Sequence, residues 1–343
     1  MPEESIDHIN FEELQSKANS QPLVKHIYTA DPSAHVFNGK IYIYPSHDIE
    51  SNIPFDDLGS HFAMEDYHVI SMDSPSANAV DNGVALHVKD VPWAKQQMWA
   101  PDAAEKEGLY YLFFPAKGHD DIFRIGVATS SSPVGPFTAQ PEPIKESFSI
   151  DPAVFKDEDG SYYMYFGGIW GGQLQRWRTG VFKAEGEGPL AHLPGDNEPA
   201  LCAKIARLSD DLLSFAETPK DILVMDENGK PLLAADTDRR FFEASWMHRY
   251  KGKYYFSYST GDTHYICYAI GDNPYGPFQY AGRILNPVVG WTSHHSICAF
   301  EGQSLLFYHD SSLSKGITHL RSIKVTKLEY DADGKIITIN PYS

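Results

Sequence analysis

The sequence predicts an all-β fold, and in particular a five-bladed β-propeller, from three observations. Apolar and polar residues alternate over short runs, while helical periodicity is almost absent. The 343 residues include 20 Tyr and 19 Phe, which favour strands, and 23 Pro and 26 Gly, which supply turns. One hairpin-led unit recurs five times along the chain, as the blades of a propeller do. An irregular all-β sandwich is the alternative, but it does not require all five units to share one pattern.

Each recurring unit has a polar or acidic residue, a short apolar run, a turn that contains glycine, and a strand rich in aromatic residues. The turn glycines are Gly39, Gly108, Gly160, Gly252 and Gly302. The strands that follow these turns are predicted at 41–44, 109–114, 162–166, 254–258 and 305–309. A second repeat supports the first, because residues 128–137 and 269–278 match at five positions where the outer part of a blade would turn back.

The propeller is predicted to be a single domain that covers residues 21–343. Residues 1–20 form a polar head that is either partly helical around 11–14 or disordered. Residues 182–240 are long and loop-like, with at most a short helix near 210–215, and are predicted to decorate the third blade.

The charge balance predicts uncharged partners. Lys and Arg number 28 and Asp and Glu number 46, which gives a net charge of −18 and argues against nucleic acid and anionic membranes. The start of the chain lacks the basic and then apolar pattern of a signal peptide, so we expect a cytoplasmic protein unless a leader was trimmed. Three widely spaced cysteines indicate neither a disulfide framework nor a Cys-based metal site. The oligomeric state stays open, including a homo-oligomer.

Chemistry is expected where the five units begin, because the first strand of each propeller blade lines the central axis. The residues that open the units are Asp31, Asp102, Asp151, Glu243 and His294. Two carboxylates that face each other across a sugar are the minimum for glycoside hydrolysis, and a third raises the pKa of the acid. The Phe and Trp neighbours of Glu243 favour a poorly solvated general acid over a surface ion pair. Asp-Pro pairs are often only turns, but the equivalent placement of Asp31 and Asp151 favours a site.

The openings of the blades resemble those of glycoside hydrolase family 43. The similar segments are 29–33, 98–103, 149–155, 242–244 and 291–296, which follow one another in the family's order from Leu23 to the end of the chain. Segments 31–35 and 64–68 are most similar to the branch that contains β-xylosidases and α-L-arabinofuranosidases.

The resemblance implies an inverting exo-glycosidase of xylan degradation. It would release terminal D-xylose from β-1,4-linked xylo-oligosaccharides or arabinoxylo-oligosaccharides, with α-L-arabinofuranosidase side activity. Asp31 matches the general base, Glu243 the general acid, and Asp151 the carboxylate that raises the pKa of the acid and orients it. An inverting pair stands about 6.5–9.5 Å apart. A mainly α-L-arabinofuranosidase activity, a retaining or phosphorolytic enzyme, and a non-catalytic glycan-binding propeller are the alternatives.

The resemblance also implies a calcium ion, or another divalent cation, at the propeller axis. His294 matches the family's axial histidine, which holds the ion largely through water. A histidine that only makes hydrogen bonds in the core is the alternative reading. His295 is a rival ligand in the adjacent register, because Ser293 stands where the family usually has glycine.

Six residues are the candidates for substrate binding: Phe55, Trp99, Asp102, Trp170, Trp246 and Arg321. Tryptophan rings stack on the apolar faces of sugars, although some of them are expected in the core. Asp102 suits hydroxyl recognition, and Arg321 resembles the family's fifth-blade arginine, with a solvated strand-edge arginine as the alternative. The glycine-rich segment 167–172 lacks a following Lys-Ser/Thr, so it is expected to shape the pocket rim and not to bind phosphate.

Overall fold

Five sheets surround a central axis in the computed structural model, which describes residues 9–343. Blade 1 contains β1 (Tyr28–Phe37), β2 (Lys40–Asp48), β3 (Asp66–Met72) and β4 (Val80–His87). Blade 2 has β5 (Ala94–Gln96) and β6 (Asp102–Lys106) beside β7 (Leu109–Gly118), followed by β8 (Phe123–Ser130) and β9 (Thr138–Ala139). Blade 3 contains β10 (Ala153–Lys156), β11 (Tyr162–Phe166), β12 (Lys204–Arg207) and β13 (Lys220–Asp221).

The last two blades complete the ring. Blade 4 contains β14 (Val224–Met225), β15 (Glu243–Tyr250), β16 (Lys253–Ser259), β17 (Ile266–Gly271) and β18 (Phe278–Leu285), with β14 parallel to β18 at the edge. Blade 5 contains β19 (His295–Phe300), β20 (Gln303–Asp310) and β21 (Ser322–Leu328). The inner strands β1, β6, β10, β15 and β19 contact one another in turn, so the predicted five-bladed propeller is confirmed.

The predicted aromatic strands are the second strands of the blades. They lie within β2, β7, β11, β16 and β20. The repeated segments at 128–137 and 269–278 connect the third and fourth strands of blades 2 and 4, as expected. Both connections need glycine: Gly135 and Gly276 have φ values of +81° and +74°, and a Cβ on Gly276 would lie 2.5 Å from the Phe278 ring.

The prediction for residues 182–240 was partly wrong. This segment supplies β12 and β13 to blade 3, but it also supplies β14 to the edge of blade 4. Residues 210–215, where at most a short helix was predicted, form a turn. Ser209 Oγ lies 2.6 Å from Asp211 Oδ1 and 3.0 Å from the Ser214 carbonyl oxygen, and such local hydrogen bonding competes with a helix.

The part of the polar head that the structure describes is docked against the end of the chain. Helix α1 (Phe11–Lys17) begins after Asn10, whose side chain caps the Glu13 N–H. Gln15 donates to the Ser312 carbonyl (3.1 Å), and the Asn19 N–H donates to the Pro341 carbonyl (3.0 Å). The alternative prediction, a disordered head, also covers residues 1–8, and these lie outside the described residues.

The apolar core lies between neighbouring blades. Tyr67 of blade 1 packs on Phe114 of blade 2, and Tyr165 of blade 3 packs on Phe256 of blade 4. The ring is closed between blades 5 and 1, where the Thr29 N–H donates to the Arg321 carbonyl (2.9 Å). From residue 9 to residue 343, no helix is both long enough and apolar enough to cross a membrane.

Candidate active site

All five blades contribute to a cavity of about 450 Å³ at the propeller axis. Blade 2 supplies Trp99 from the break between β5 and β6, and the other blades supply Asp31, Asp151, Glu243 and His294. Four of the five predicted axial residues are therefore brought together, although they are spread over more than 260 positions of the sequence.

Interruptions in the inner strands turn two of these carboxylates toward the cavity. The pairing of β1 with β2 shifts register between Ala30 and Ser33, and that of β15 with β16 shifts between Glu243 and Trp246. The bulges free backbone N–H groups for other partners. The Asp31 N–H donates to His309 Nδ1 (2.9 Å), and the Ala244 N–H donates to Asp151 Oδ2 (2.9 Å).

Asp31 is a buried carboxylate whose negative charge is well compensated. Arg321 Nη1 lies 2.9 Å from Oδ1, Ser46 Oγ donates to Oδ2 at 2.7 Å, and His294 Nδ1 lies 3.5 Å from Oδ1. Burial alone would raise its pKa, but the charge of Arg321 and the two histidines nearby lower the pKa of Asp31 to about 2. Asp31 is therefore ionised near neutral pH.

Arg321 is held in place by a second buried carboxylate. Its Nε and Nη2 lie 2.8 and 2.7 Å from the two oxygens of Asp48, and its backbone N–H donates to the same residue. The guanidinium also lies 4.8 Å from the centre of the Phe62 ring. Only 2% of the Arg321 surface is exposed, so this residue is part of the cavity wall and not a solvated strand edge.

Glu243 and Asp151 have the opposite electrostatic character. Burial, reinforced by the charges of Asp151 and Asp31, raises the pKa of Glu243 well above its ordinary value. Burial and Asp31 raise the pKa of Asp151 as well. Glu243 Oε1 is buried and has no hydrogen-bond partner among the described residues. The pair is therefore suited to hold a proton that can be donated into the cavity.

Two groups of aromatic side chains line the cavity. Trp170 and Trp291 are stacked with their ring centres 5.9 Å apart. Trp99 contacts Phe62 edge to face, and Phe55 is about half exposed at the rim. Such faces suit the apolar surfaces of a sugar ring.

The glycine-rich segment 167–172 forms part of the rim, as predicted. A Cβ on Gly171 would lie 2.4 Å from the Leu58 carbonyl oxygen, so this close approach requires glycine.

The family profile of glycosyl hydrolases family 43 matches residues 77–336 of the chain. The chain belongs to glycosyl hydrolases family 43. The chain is also 61% identical over 325 residues to the xylosidase/arabinosidase 43A of Humicola insolens, covering 93% of this chain and 99% of the relative. A xylosidase/arabinosidase of Bacteroides ovatus is 58% identical over 324 residues, covering 94% and 98%.

The solved structures include a family 43 β-xylosidase/α-arabinofuranosidase from a compost microbial metagenome, in complex with xylotriose and in a calcium-free form. It superposes with a TM-score of 0.92 at 64% identity, covering 95% of this chain and 98% of that one. The predicted family and fold are thus confirmed.

Two residues predicted to bind substrate do not reach the cavity of this family 43 protein. Asp102 is fully buried, and its oxygens lie 2.5 Å from His35 Nε2 and 2.5 Å from the Val154 N–H. Trp246 donates from Nε1 to the Ile297 carbonyl (3.0 Å) inside the core. Both predictions fail for the same reason: each side chain is buried among the inner strands and bonds to them, Asp102 to β1 and β10 and Trp246 to β19, and does not line the cavity.

Other cavity residues were missed in the sequence. They are Asp48, Ser46, His61, Phe62, Trp291, Thr292, Asp262, His264 and His309, which line the cavity or hold Asp31 and Arg321. A signal was present for three of them, because polar residues end the otherwise apolar strands β2 and β20.

The two adjacent histidines of blade 5 have different positions. His294 lines the cavity beside Asp31, and burial lowers its pKa to about 4, so the ring is neutral as a metal ligand must be. His295 is fully buried behind the cavity wall, with Nε2 2.6 Å from Ser257 Oγ. A neutral imidazole next to a carboxylate fits a hydrated divalent cation better on His294 than on His295.

Proposed function

We propose that this family 43 protein is an inverting exo-β-xylosidase with α-L-arabinofuranosidase side activity. Its substrates would be xylo-oligosaccharides and arabinoxylo-oligosaccharides with terminal β-1,4-linked D-xylosyl residues. The observation that carries the mechanism is the pairing of an ionised Asp31 with a Glu243 of raised pKa in one cavity. The names of the two relatives, and the xylotriose bound to the compost enzyme, support the choice of sugar.

The proposed reaction is a single displacement at the anomeric carbon. Asp31 accepts a proton from water, whose oxygen forms the new bond to that carbon. The bond to the glycosidic oxygen breaks at the same time, and this oxygen takes the proton from Glu243. Asp151 keeps the proton on Glu243 until that moment, because its negative charge raises the pKa of the acid. Exchange with solvent then restores both protonation states.

The lining of the site supports action at the end of a sugar chain. The cavity lies at the propeller axis and is bounded by residues of all five blades, which suits a pocket for one terminal sugar. The stacked rings of Trp170 and Trp291, together with the ring of Trp99, would offer apolar faces to one sugar.

A divalent cation, which we propose to be calcium, would be held by His294 and by water beside Asp31. When bound, it would add positive charge near the base and help to order the water there. The lowered pKa of His294 supports this role, because the ring is neutral at the pH of the reaction.

The decisive experiment follows hydrolysis of an aryl β-D-xyloside by NMR and identifies the first-formed anomer of the released xylose, because the leaving group of this substrate is not itself xylose. Inversion predicts α-xylose, and initial β-xylose would overturn the roles of Asp31 and Glu243. Asp31→Asn is the control and should lose turnover of every substrate. A parallel comparison of aryl β-D-xyloside and aryl α-L-arabinofuranoside, with and without chelator, measures the ratio of the two activities and the need for metal. Glycan binding without any product would favour the non-catalytic alternative.

A further inference from the structure

A second cluster of potential metal ligands lies in blade 1, apart from the residues that line the cavity. His47 near the end of β2 meets Asp66 and His68 at the start of β3, and their ligand atoms all lie within 4.8 Å of one another. Asp66 and His68 are two positions apart on one strand, so their side chains share a face. The centres of the two imidazole rings are 4.5 Å apart. The exposed fractions of these side chains, 11–16%, leave the cluster accessible to a small ion.

We propose that His47, Asp66 and His68 form a binding site for a transition-metal ion of the zinc type, which is separate from the axial cation site. Two imidazoles and one carboxylate are a donor set that suits Zn²⁺ or Co²⁺, with water in the remaining position. Calcium prefers oxygen ligands throughout, so the two sites should differ in the ion they select.

The neighbours of the cluster support this assignment. Asp81 Oδ1 lies 2.8 Å from His68 Nδ1, which leaves the other ring nitrogen free to face an ion. Asp81 is itself fixed by the Gly83 N–H (2.9 Å) and by His26 Nε2 (2.8 Å). A carboxylate behind a ligating histidine is the usual second layer of a zinc site, since it orients the ring and makes it more basic.

The carboxylate of Asp66 already lies next to one of the proposed histidine ligands. Asp66 Oδ1 lies 2.6 Å from His47 Nδ1. A metal ion would take the place of the hydrogen between these two atoms, which already face each other.

The site adjoins the active site through the backbone. His47 stands between Ser46, which donates to Asp31, and Asp48, which holds Arg321. An ion bound to His47 and to β3 would join two strands of blade 1 and stabilise the end of β2. We expect it to raise the melting temperature without entering the reaction.

The test uses the full chain carrying His294→Gln, so that the axial site does not contribute to binding. The protein is stripped with EDTA, titrated with Co²⁺ under visible absorption, and titrated with Zn²⁺ by calorimetry. We expect one ion per chain, with visible bands typical of nitrogen and oxygen ligands. Adding Asp81→Asn should weaken affinity about 10- to 100-fold, as loss of a second-layer carboxylate does.

Two further substitutions test the ligands themselves. His68→Gln and Asp66→Asn should each abolish the visible bands, and circular dichroism in EDTA checks that both variants are folded. His319→Gln is the matched control. His319 also pairs with a carboxylate, Glu50 (3.1 Å), but among the described residues it belongs to no group of three potential metal ligands, so this variant should bind the ion normally. Absence of binding below about 1 mM metal, or unchanged binding in folded His68→Gln and Asp66→Asn, would overturn the proposal. Either result would leave the proposed hydrolysis untouched.

Discussion

Arg321 Nη1 donates a 2.9 Å hydrogen bond to Asp31 Oδ1, across 290 positions of the sequence and across the junction between the last and first blades. Both groups are almost fully buried. The same guanidinium is held by Asp48 through two parallel hydrogen bonds. The charge state of Asp31 therefore depends on a network that closes the propeller ring as well as on local sequence.

Asp48→Asn should destabilise the protein strongly, because it leaves Arg321 with one buried counter-charge instead of two. We expect a loss of about 3 kcal/mol in the free energy of unfolding, measured by urea denaturation. Glu329→Gln is the matched control: its partner Lys327 is exposed, and the change should cost less than about 1 kcal/mol. Equal effects of the two substitutions would contradict the importance of the buried network.

Glu243→Gln should slow hydrolysis by an amount that depends on how much protonation the leaving group needs. Loss of general acid catalysis should lower kcat for xylobiose about 10³-fold. A dinitrophenyl xyloside needs little protonation of its leaving oxygen, so its turnover should fall less than about tenfold. Steady-state kinetics on both substrates give the answer, and an equal loss on both would argue against Glu243 as the proton donor.

Asp151→Asn should move the alkaline limb of the pH profile to lower pH. The negative charge of Asp151 raises the pKa of Glu243, so its removal lets the acid lose its proton earlier as the pH rises. We expect the limb of kcat/KM to shift down by about one pH unit or more. A limb that stays in place, or moves up, would show that Asp151 does not act through this charge.

Glu243→Gln should also change how stability depends on pH. Because the folded-state pKa of Glu243 is raised above its ordinary value of 4.5, its contribution to stability is full below that value and is lost as the pH rises through the folded pKa. Glutamine cannot ionise and does not undergo this loss. The difference in Tm between the variant and the native protein should therefore shift in favour of the variant from pH 5 to pH 9, by about 2 °C in scanning calorimetry. A Tm difference that favours the variant more at pH 5 than at pH 9 would contradict a raised pKa of Glu243 in the folded protein.

Replacing Trp170 should affect activity and replacing Trp246 should affect stability, because only Trp170 lines the cavity. Trp170→Ala should lower kcat/KM for xylobiose about two- to tenfold through lost stacking, with little change in stability. Trp246→Ala should instead destabilise the fold by about 3–5 kcal/mol. Kinetics and denaturant unfolding of both variants distinguish the roles. Similar losses of kcat/KM and of stability in the two variants would contradict the assignment.

The fold could be predicted to a large extent from the sequence because its signals are local. A strand that alternates with period two and a turn that needs glycine are properties of a few adjacent residues. The five hairpins lie where they were predicted. The weakest prediction concerned residues 182–240, whose short strands β12 to β14 are defined by their partners in two blades and carry little pattern of their own.

By itself, the sequence determined the repeat, the family, and the carboxylates Asp31, Asp151 and Glu243 that open three of the blades. Only the tertiary structure decided that Asp102 and Trp246 point into the core and that Arg321 holds Asp31. The reason is physical. Pairing within a hairpin follows from neighbouring residues, whereas the direction of an inner-strand side chain depends on bulges and on blades that meet only when the ring closes.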